Sequence, residues 1–166
     1  MRGVDEVKRS FPPVLDARTR VLVLGSLPGE LSLAAQRYYG NPRNHFWHLI
    51  GGVIEADLVS LPYPQRLERL LAAGIGLWDT IGAAKRRGSL DTAIREPVGN
   101  DVATLAAELP SLRAIGFNGA KSAAIGIPQL AQRGDLALLP LPSSSPAFTL
   151  PLTEKAVRWA VLRDYL

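Results

Sequence analysis

Four short apolar runs, at residues 20–24, 75–81, 112–117 and 136–141, alternate with stretches of helical spacing, and this alternation limits the chain's folds more than any other feature. Each run is too short for a helix and ends in a turn residue or a polar cluster, so each reads as a strand buried in a parallel sheet. Helices are expected at residues 30–38, 44–54, 65–73, 121–125 and 153–164, and one more after a cap at Asn100 or Asp101. In the third of these Leu67, Leu70 and Leu71 share a face and Gly74 closes the helix. In the last, Thr153 is the expected N-cap, with Val157, Ala160 and Val161 inward. The pattern predicts an α/β fold, a three-layer α/β/α sandwich with a central four-stranded parallel sheet.

With 166 residues, 47% of them hydrophobic, the chain can bury a core as one domain over residues 1–166. Residues 1–19 are polar, carry Pro12 and Pro13, and are expected to form an arm packed on that domain. The first residues lack the apolar core of a secretory signal, and no stretch approaches 18 uninterrupted apolar residues, so a cytoplasmic protein without a membrane partner is expected.

In a parallel sheet the carboxyl ends of all strands share one rim, where ligands bind. The segments GSLPG (25–29), WDT (78–80), FNG (117–119) and LPSSSPA (141–147) each follow an expected strand, so they converge there. Two glycines and a proline make GSLPG a forced turn. Between it and the next helix, YYGNPRNHFW (38–47) packs two tyrosines, two side-chain amides and Arg43 into ten residues. Stacking surfaces, amides and a cation together suit a pocket that holds a flat polar ring against a phosphate backbone. Residues 82–99 are expected as a long loop, and long loops in compact domains are often functional.

Several chemistries are excluded or weakened. There is no cysteine, hence no disulfide, cysteine zinc site or cysteine-ligated iron–sulfur cluster. GSLPG lacks the GxGxxG pattern, and GAKS (119–122) has Ala120 where a phosphate loop needs glycine. His45 and His48 stand three apart without a third ligand, which suits packing or capping better than a metal; neither metal nor cofactor is expected. Ser143, Ser144 and Ser145 lie in no GxSxG elbow. A formal charge of +4 permits attraction to a polyanion and does not by itself identify one. Asp79, at a buried strand end, needs a partner for its carboxyl. It either caps the following loop or reads a base edge. Asn44 is either an N-cap or a participant in chemistry, and Tyr38 and Tyr39 are either core or stacking surface.

GSLPG, YYGNPRNHFW, LWDTIGAAKRRGSLD (77–91), FNGAKSA (117–123) and LPSSSPA, in that order, resemble the hypoxanthine-DNA glycosylase branch of the uracil-DNA glycosylase superfamily, over roughly residues 20–165. The resemblance implies the same sandwich and a monofunctional, cofactor-free glycosylase of base excision repair. It would work as a monomer on DNA containing a damaged base, with hypoxanthine favoured over uracil. It points to Asn44, the asparagine of the PRN segment, and Asp79 as catalytic, and to Leu27, Pro28, Gly29, Tyr39, Phe46 and Asn118 as base-binding. Tyr39 would stack the base, with Phe46 also serving as core support beside Trp47. DNA contacts would come from Arg43, Lys85, Arg86, Arg87 and Lys121, and from a rigid ridge of Ser143, Ser144, Ser145 and Pro146.

Two positions depart from the superfamily's pattern: Leu27 stands where many branches carry Asp or Asn, and Leu141 where several carry His or Asn. Both departures favour an alternative, a non-catalytic binder of damaged or single-stranded nucleic acid. A nucleoside hydrolase is a second alternative; the basic loop and the serine ridge count against it.

Overall fold

The computed structural model describes residues 7–166, and it contains both parallel and antiparallel sheet. In chain order its elements are β1 (Val7–Arg9), β2 (Val21–Gly25), α1 (Glu30–Ala35), α2 (Phe46–Ile54), α3 (Tyr63–Ala73), β3 (Ile75–Asp79), β4 (Ile81–Lys85) and a 3₁₀ turn (Asp91–Ala93). There follow β5 (Arg95–Gly99), α4 (Val102–Ala107), β6 (Ala114–Asn118), α5 (Ala120–Gln129), β7 (Ala137–Leu141), α6 (Leu152–Trp159) and a final 3₁₀ segment (Ala160–Tyr165).

The four expected strands form a parallel sheet in the order β3-β2-β6-β7. Central β2 has no exposed residue because both faces are covered: Val21 and Val23 meet α2, α3 and α6, while Leu22 and Leu24 meet α4 and α5. This period-two division of one strand between two cores is what makes three layers. The chain moves outward from β2 to β3 and returns past β2 to β6, so the direction of winding switches between β2 and β6. The crevice at their carboxyl ends is the expected ligand position in such a sheet.

The largest difference from expectation lies at residues 82–99. They are a hairpin of β4 and β5, joined by the 3₁₀ turn, and β1 from the arm pairs with β4 to make a three-stranded antiparallel sheet. Residues 81–85, IGAAK, and 95–99, REPVG, carry little apolar periodicity, and their pairing depends on the distant arm. Val14 adds a two-way bridge to Leu77 of β3, so the arm is tied to both sheets; residues 1–6 lie outside the described residues.

Helix α6 is also rotated from expectation. It turns Lys155 and Trp159 inward, followed by Leu162, and leaves Val157 77% exposed. A lysine can face the core here because its amine has partners there: His45 Nδ1 at 3.2 Å and the Ser145 carbonyl at 3.2 Å. The helix starts at Leu152 after Pro151, so Thr153 is not its cap.

Helix α5 packs on β6 at a distance set by Gly126, where an added Cβ would lie 2.4 Å from Phe117 Cε1 and 3.1 Å from Thr80 Cγ2. Phe117 is fully buried and cannot retreat. Gly126→Ala should therefore cost about 1–3 kcal/mol of stability, measurable as a lower midpoint in urea with an unchanged slope.

Candidate active site

The loops after all four parallel strands enclose a cavity of about 610 Å³ at the sheet's carboxyl rim. That volume lies within the usual range for a small-molecule site. GSLPG, Tyr39, Asn44, Asp79, Asn118 and the 143–148 loop all line it, with residues 89–92 of the hairpin as a further wall.

Asp79 ends β3 and is 4% exposed. Its Oδ2 is buried without a hydrogen-bond partner. Burial and, next, the negative charge of Asp91 push its carboxyl up to about 7, against a smaller opposing effect of Arg86. The group can therefore carry a proton near neutral pH, which an ordinary surface aspartate cannot.

Tyr39 adopts a left-handed backbone (φ 54°), which costs a residue with a Cβ roughly 1 kcal/mol and is held by surrounding bonds. Its carbonyl accepts from Trp47 Nε1 at 3.1 Å. The ring lies flat on Phe46, centroids 3.8 Å apart and 10° between planes. One face of the phenol is thus covered and stiffened. Phe46 itself is fully buried and does not reach the cavity, so it supports the stacking ring and cannot bind the base as expected from the sequence.

Asn44 precedes α2, and His45 takes the cap position. Its Oδ1 accepts the N–H of Phe46 at 2.9 Å, an Asx-type turn. That bond fixes which end of the amide is oxygen and leaves Nδ2 as the donor for a ligand. Asn118 is committed differently: Oδ1 accepts from Ser144 N–H at 2.9 Å, while Nδ2 donates to Ser144 Oγ at 2.9 Å and Tyr39 Oη at 3.2 Å. Both amide hydrogens have partners within the fold, so Asn118 braces the cavity wall.

Other expected residues fall into place or out of it. The Leu27 side chain joins Ile81, Ala84 and Ile94 in a small apolar cluster under the hairpin, which leaves its backbone for the cavity. The Pro28 carbonyl accepts from Arg86 Nη2, and Ser89 Oγ takes the Glu30 N–H beyond Gly29 at 2.9 Å. Arg86 is 1% exposed, with Nη2 on the Pro28 carbonyl and Nε on the Gly88 carbonyl, so its burial keeps it from a phosphate. Ser144 is likewise buried against Asn118 and drops out of the ridge, while Ser143 and Ser145 are half-buried and Pro146 is exposed. Arg43 and Arg87 are exposed; Arg43 lines the cavity mouth. Lys85 is paired with Glu96 at 2.8 Å, and Lys121 lies half-buried on α5, away from the cavity.

Two residues of the site are not visible in the sequence pattern. Asp91 lines the cavity, accepts from Ser26 Oγ at 2.6 Å and stands 4.0 Å from Arg86 Nη1. Lys155, fully buried, ties His45 to the Ser145 carbonyl, and burial lowers its pKa. Desolvation, then Lys155, hold His45 below its usual value as well, so its Nδ1 is the acceptor in that contact. Asp91 lay in a segment expected to be loop, and Lys155 on a face expected to be solvated. Among the described residues no group of three or more His, Cys, Asp or Glu side chains could hold a metal ion, and no helix is long and apolar enough to cross a membrane.

The raised Asp79 value has a stability consequence. The folded state retains a proton that the unfolded chain, with a carboxyl near 3.8, releases, so Asp79 weakens the fold increasingly from about pH 4 up to about pH 7. Asp79→Asn should stabilise the fold more at pH 8 than at pH 4, the difference in unfolding free energy from urea titrations reaching on the order of a few kcal/mol.

This geometry has close counterparts. The family model for the uracil DNA glycosylase superfamily matches residues 12–164. The Hypoxanthine DNA glycosylase of Methanosarcina barkeri is 47% identical over 115 residues, 69% of this chain and 73% of that protein. The protein of the same description from Methanosarcina acetivorans is 46% identical over 116 residues, 70% of this chain and 73% of its own length. The solution NMR structure of a candidate uracil DNA glycosylase from Methanosarcina acetivorans superposes with a TM-score of 0.84 at 40% identity, covering 96% of this chain and 99% of that one. By sequence and by fold, the chain belongs to the uracil DNA glycosylase superfamily.

Proposed function

We propose that this protein is a monofunctional DNA glycosylase that extrudes hypoxanthine from DNA and hydrolyses its N-glycosidic bond. Membership of the superfamily and two relatives described as hypoxanthine DNA glycosylases support a DNA glycosylase acting on a deaminated base. The observation that carries the reading is the cavity itself, roomy enough to admit an extruded nucleotide and combining the Tyr39 ring, the Asp79 carboxyl and the Asn44 amide.

The base stacks on the free face of Tyr39 while Phe46 holds the other face. Asp79 meets the polar edge of the base at the buried wall. Cleavage leaves positive charge on the sugar and electron density on the departing base, so fixed donors near the base lower the barrier most. Asn44 Nδ2, held by the Phe46 turn, is such a donor and also orients the attacking water. Arg43 and Arg87, with Ser143, Ser145 and Pro146, meet the backbone of a duplex bound by a single copy of the chain. Leu27 leaves the first motif without a side chain able to direct water, which argues against strong uracil excision and favours a deaminated purine.

The direct test incubates the protein with duplexes carrying hypoxanthine, uracil, xanthine or an alkylated base and cleaves the abasic products with alkali. Hypoxanthine should be released fastest, without added metal; no release from any duplex would overturn the assignment. Borohydride should trap no covalent DNA adduct, since no amine attacks the sugar. Asn44→Asp preserves the acceptor of the Asx turn and removes the donor. Its single-turnover rate should fall on the order of a hundredfold to a thousandfold, with little change in melting temperature. Arg43→Ala and Arg87→Ala should each reduce the log–log salt slope of duplex binding by about 0.9. Arg86→Ala should instead lower stability.

A further inference from the structure

The hairpin brings a second carboxylate to the cavity, and the reaction described so far does not use it. Asp91 is held by Ser26 Oγ at 2.6 Å, at the root of GSLPG, and Arg86 stands 4.0 Å behind it. Ser26 follows Gly25, which pairs with Asp79 across β2 and β3. Two carboxyls thus face one cavity, Asp79 from the end of β3 and Asp91 from the 3₁₀ turn of the hairpin, and Asp79 is buried with an unpartnered oxygen. When two carboxyls are held in different environments, the buried one keeps a proton and the more exposed one keeps the charge.

We propose that Asp79 is the catalytic acid for the leaving purine and that Asp91 is the positioning residue that keeps the proton on it. This rests on the hypoxanthine reading above. As the bond from C1′ to the purine ring nitrogen breaks, its electron pair passes to the base, and the Asp79 hydrogen passes to an acceptor atom of the purine, which departs neutral. Water adds its oxygen to C1′, and the proton it sheds restores Asp79. A purine presents ring-nitrogen and carbonyl acceptors to such a donor. The reaction therefore needs no leaving-group donor at the Leu141 position.

The charged and titratable groups facing Asp79 are Asp91 and Arg86 from the hairpin and Tyr38 and Tyr39 from the segment before α2. Burial holds both phenols above their usual range, so neither titrates between pH 5 and 9. Asp91 favours the proton on Asp79 and Arg86 opposes it, in that order of effect.

The experiment is single-turnover release of hypoxanthine from a duplex between pH 5.5 and 9. The wild-type rate should fall about tenfold per unit above a midpoint near 7. Asp91→Asn should move that midpoint to lower pH, because it removes the negative charge that holds the proton. Asp79→Asn should abolish the descending limb and slow the reaction on the order of a hundredfold or more at pH 6. Asn44→Ser, which removes the amide without adding a charge to the cavity, should slow release at every pH and leave the midpoint in place. A general packing defect lowers rates without moving a midpoint, so the Asp91 variant decides the matter even if the Asp79 variant folds poorly. A flat wild-type profile, or an Asp91→Asn midpoint equal to wild type, overturns the proposal while leaving the hypoxanthine reading intact. Failure of the wild type to release hypoxanthine at any pH overturns both.

Discussion

The carboxyl of Asp79 occupies space that any side chain at position 25 would take. Parallel pairing sets Gly25 opposite Asp79, and a Cβ on Gly25 would lie 2.6 Å from Asp79 Oδ1 and 3.0 Å from the Tyr39 hydroxyl. The phenol, the carboxyl and the end of β2 meet only because this one residue lacks a side chain. The register of two buried strands thus determines the site. The same register places the Gly25 carbonyl to accept the Thr80 N–H at 2.8 Å, which launches β4 and the hairpin that carries Asp91.

Buried polar side chains then lock the loops that the sheet delivers. Asn118 bonds Ser144 and Tyr39, Lys155 bonds His45 and the Ser145 carbonyl, and Arg86 bonds the Pro28 and Gly88 carbonyls. Each spans two segments distant in sequence, and each would be costly to bury without those partners. The Ser144 carbonyl also accepts the His45 N–H at 2.9 Å, so the Asn44 turn and the serine loop move as one unit. A site that must hold donors where charge develops gains from this rigidity, because little reorganisation remains at the moment of reaction.

These braces are also what the sequence conceals. The strands were legible because burial on both faces of a parallel sheet leaves uninterrupted apolar runs, and the position of GSLPG, Asp79 and the serine loop at one rim followed from that topology. The hairpin was not legible, since its strands are poor in apolar residues and its third strand comes from residues 7–9. Lys85, Arg86 and Arg87 read alike as a basic loop, yet one is ion-paired, one is buried and one is exposed. Charge in a sequence does not reveal which guanidinium will find carbonyls to bind. The face of α6 was misjudged for the same reason, because Lys155 counts as polar by pattern and is buried by virtue of its partners.

Leu27 shows how a loss of one polar group is offset by the fold around it. In the first motif a leucine cannot direct water, but it can anchor the turn, and here it packs with Ile81, Ala84 and Ile94 beneath the hairpin. That apolar contact, with Arg86 and Ser89 bonding the backbone on either side of Gly29, fixes the hairpin to the strand end from which the first motif springs. An unstructured loop over residues 82–99 could not hold a carboxylate at a constant distance from Asp79, and the electrostatic pressure on Asp79 depends on that distance. The side chain that withdrew from chemistry at position 27 is thus part of what keeps Asp91 in place.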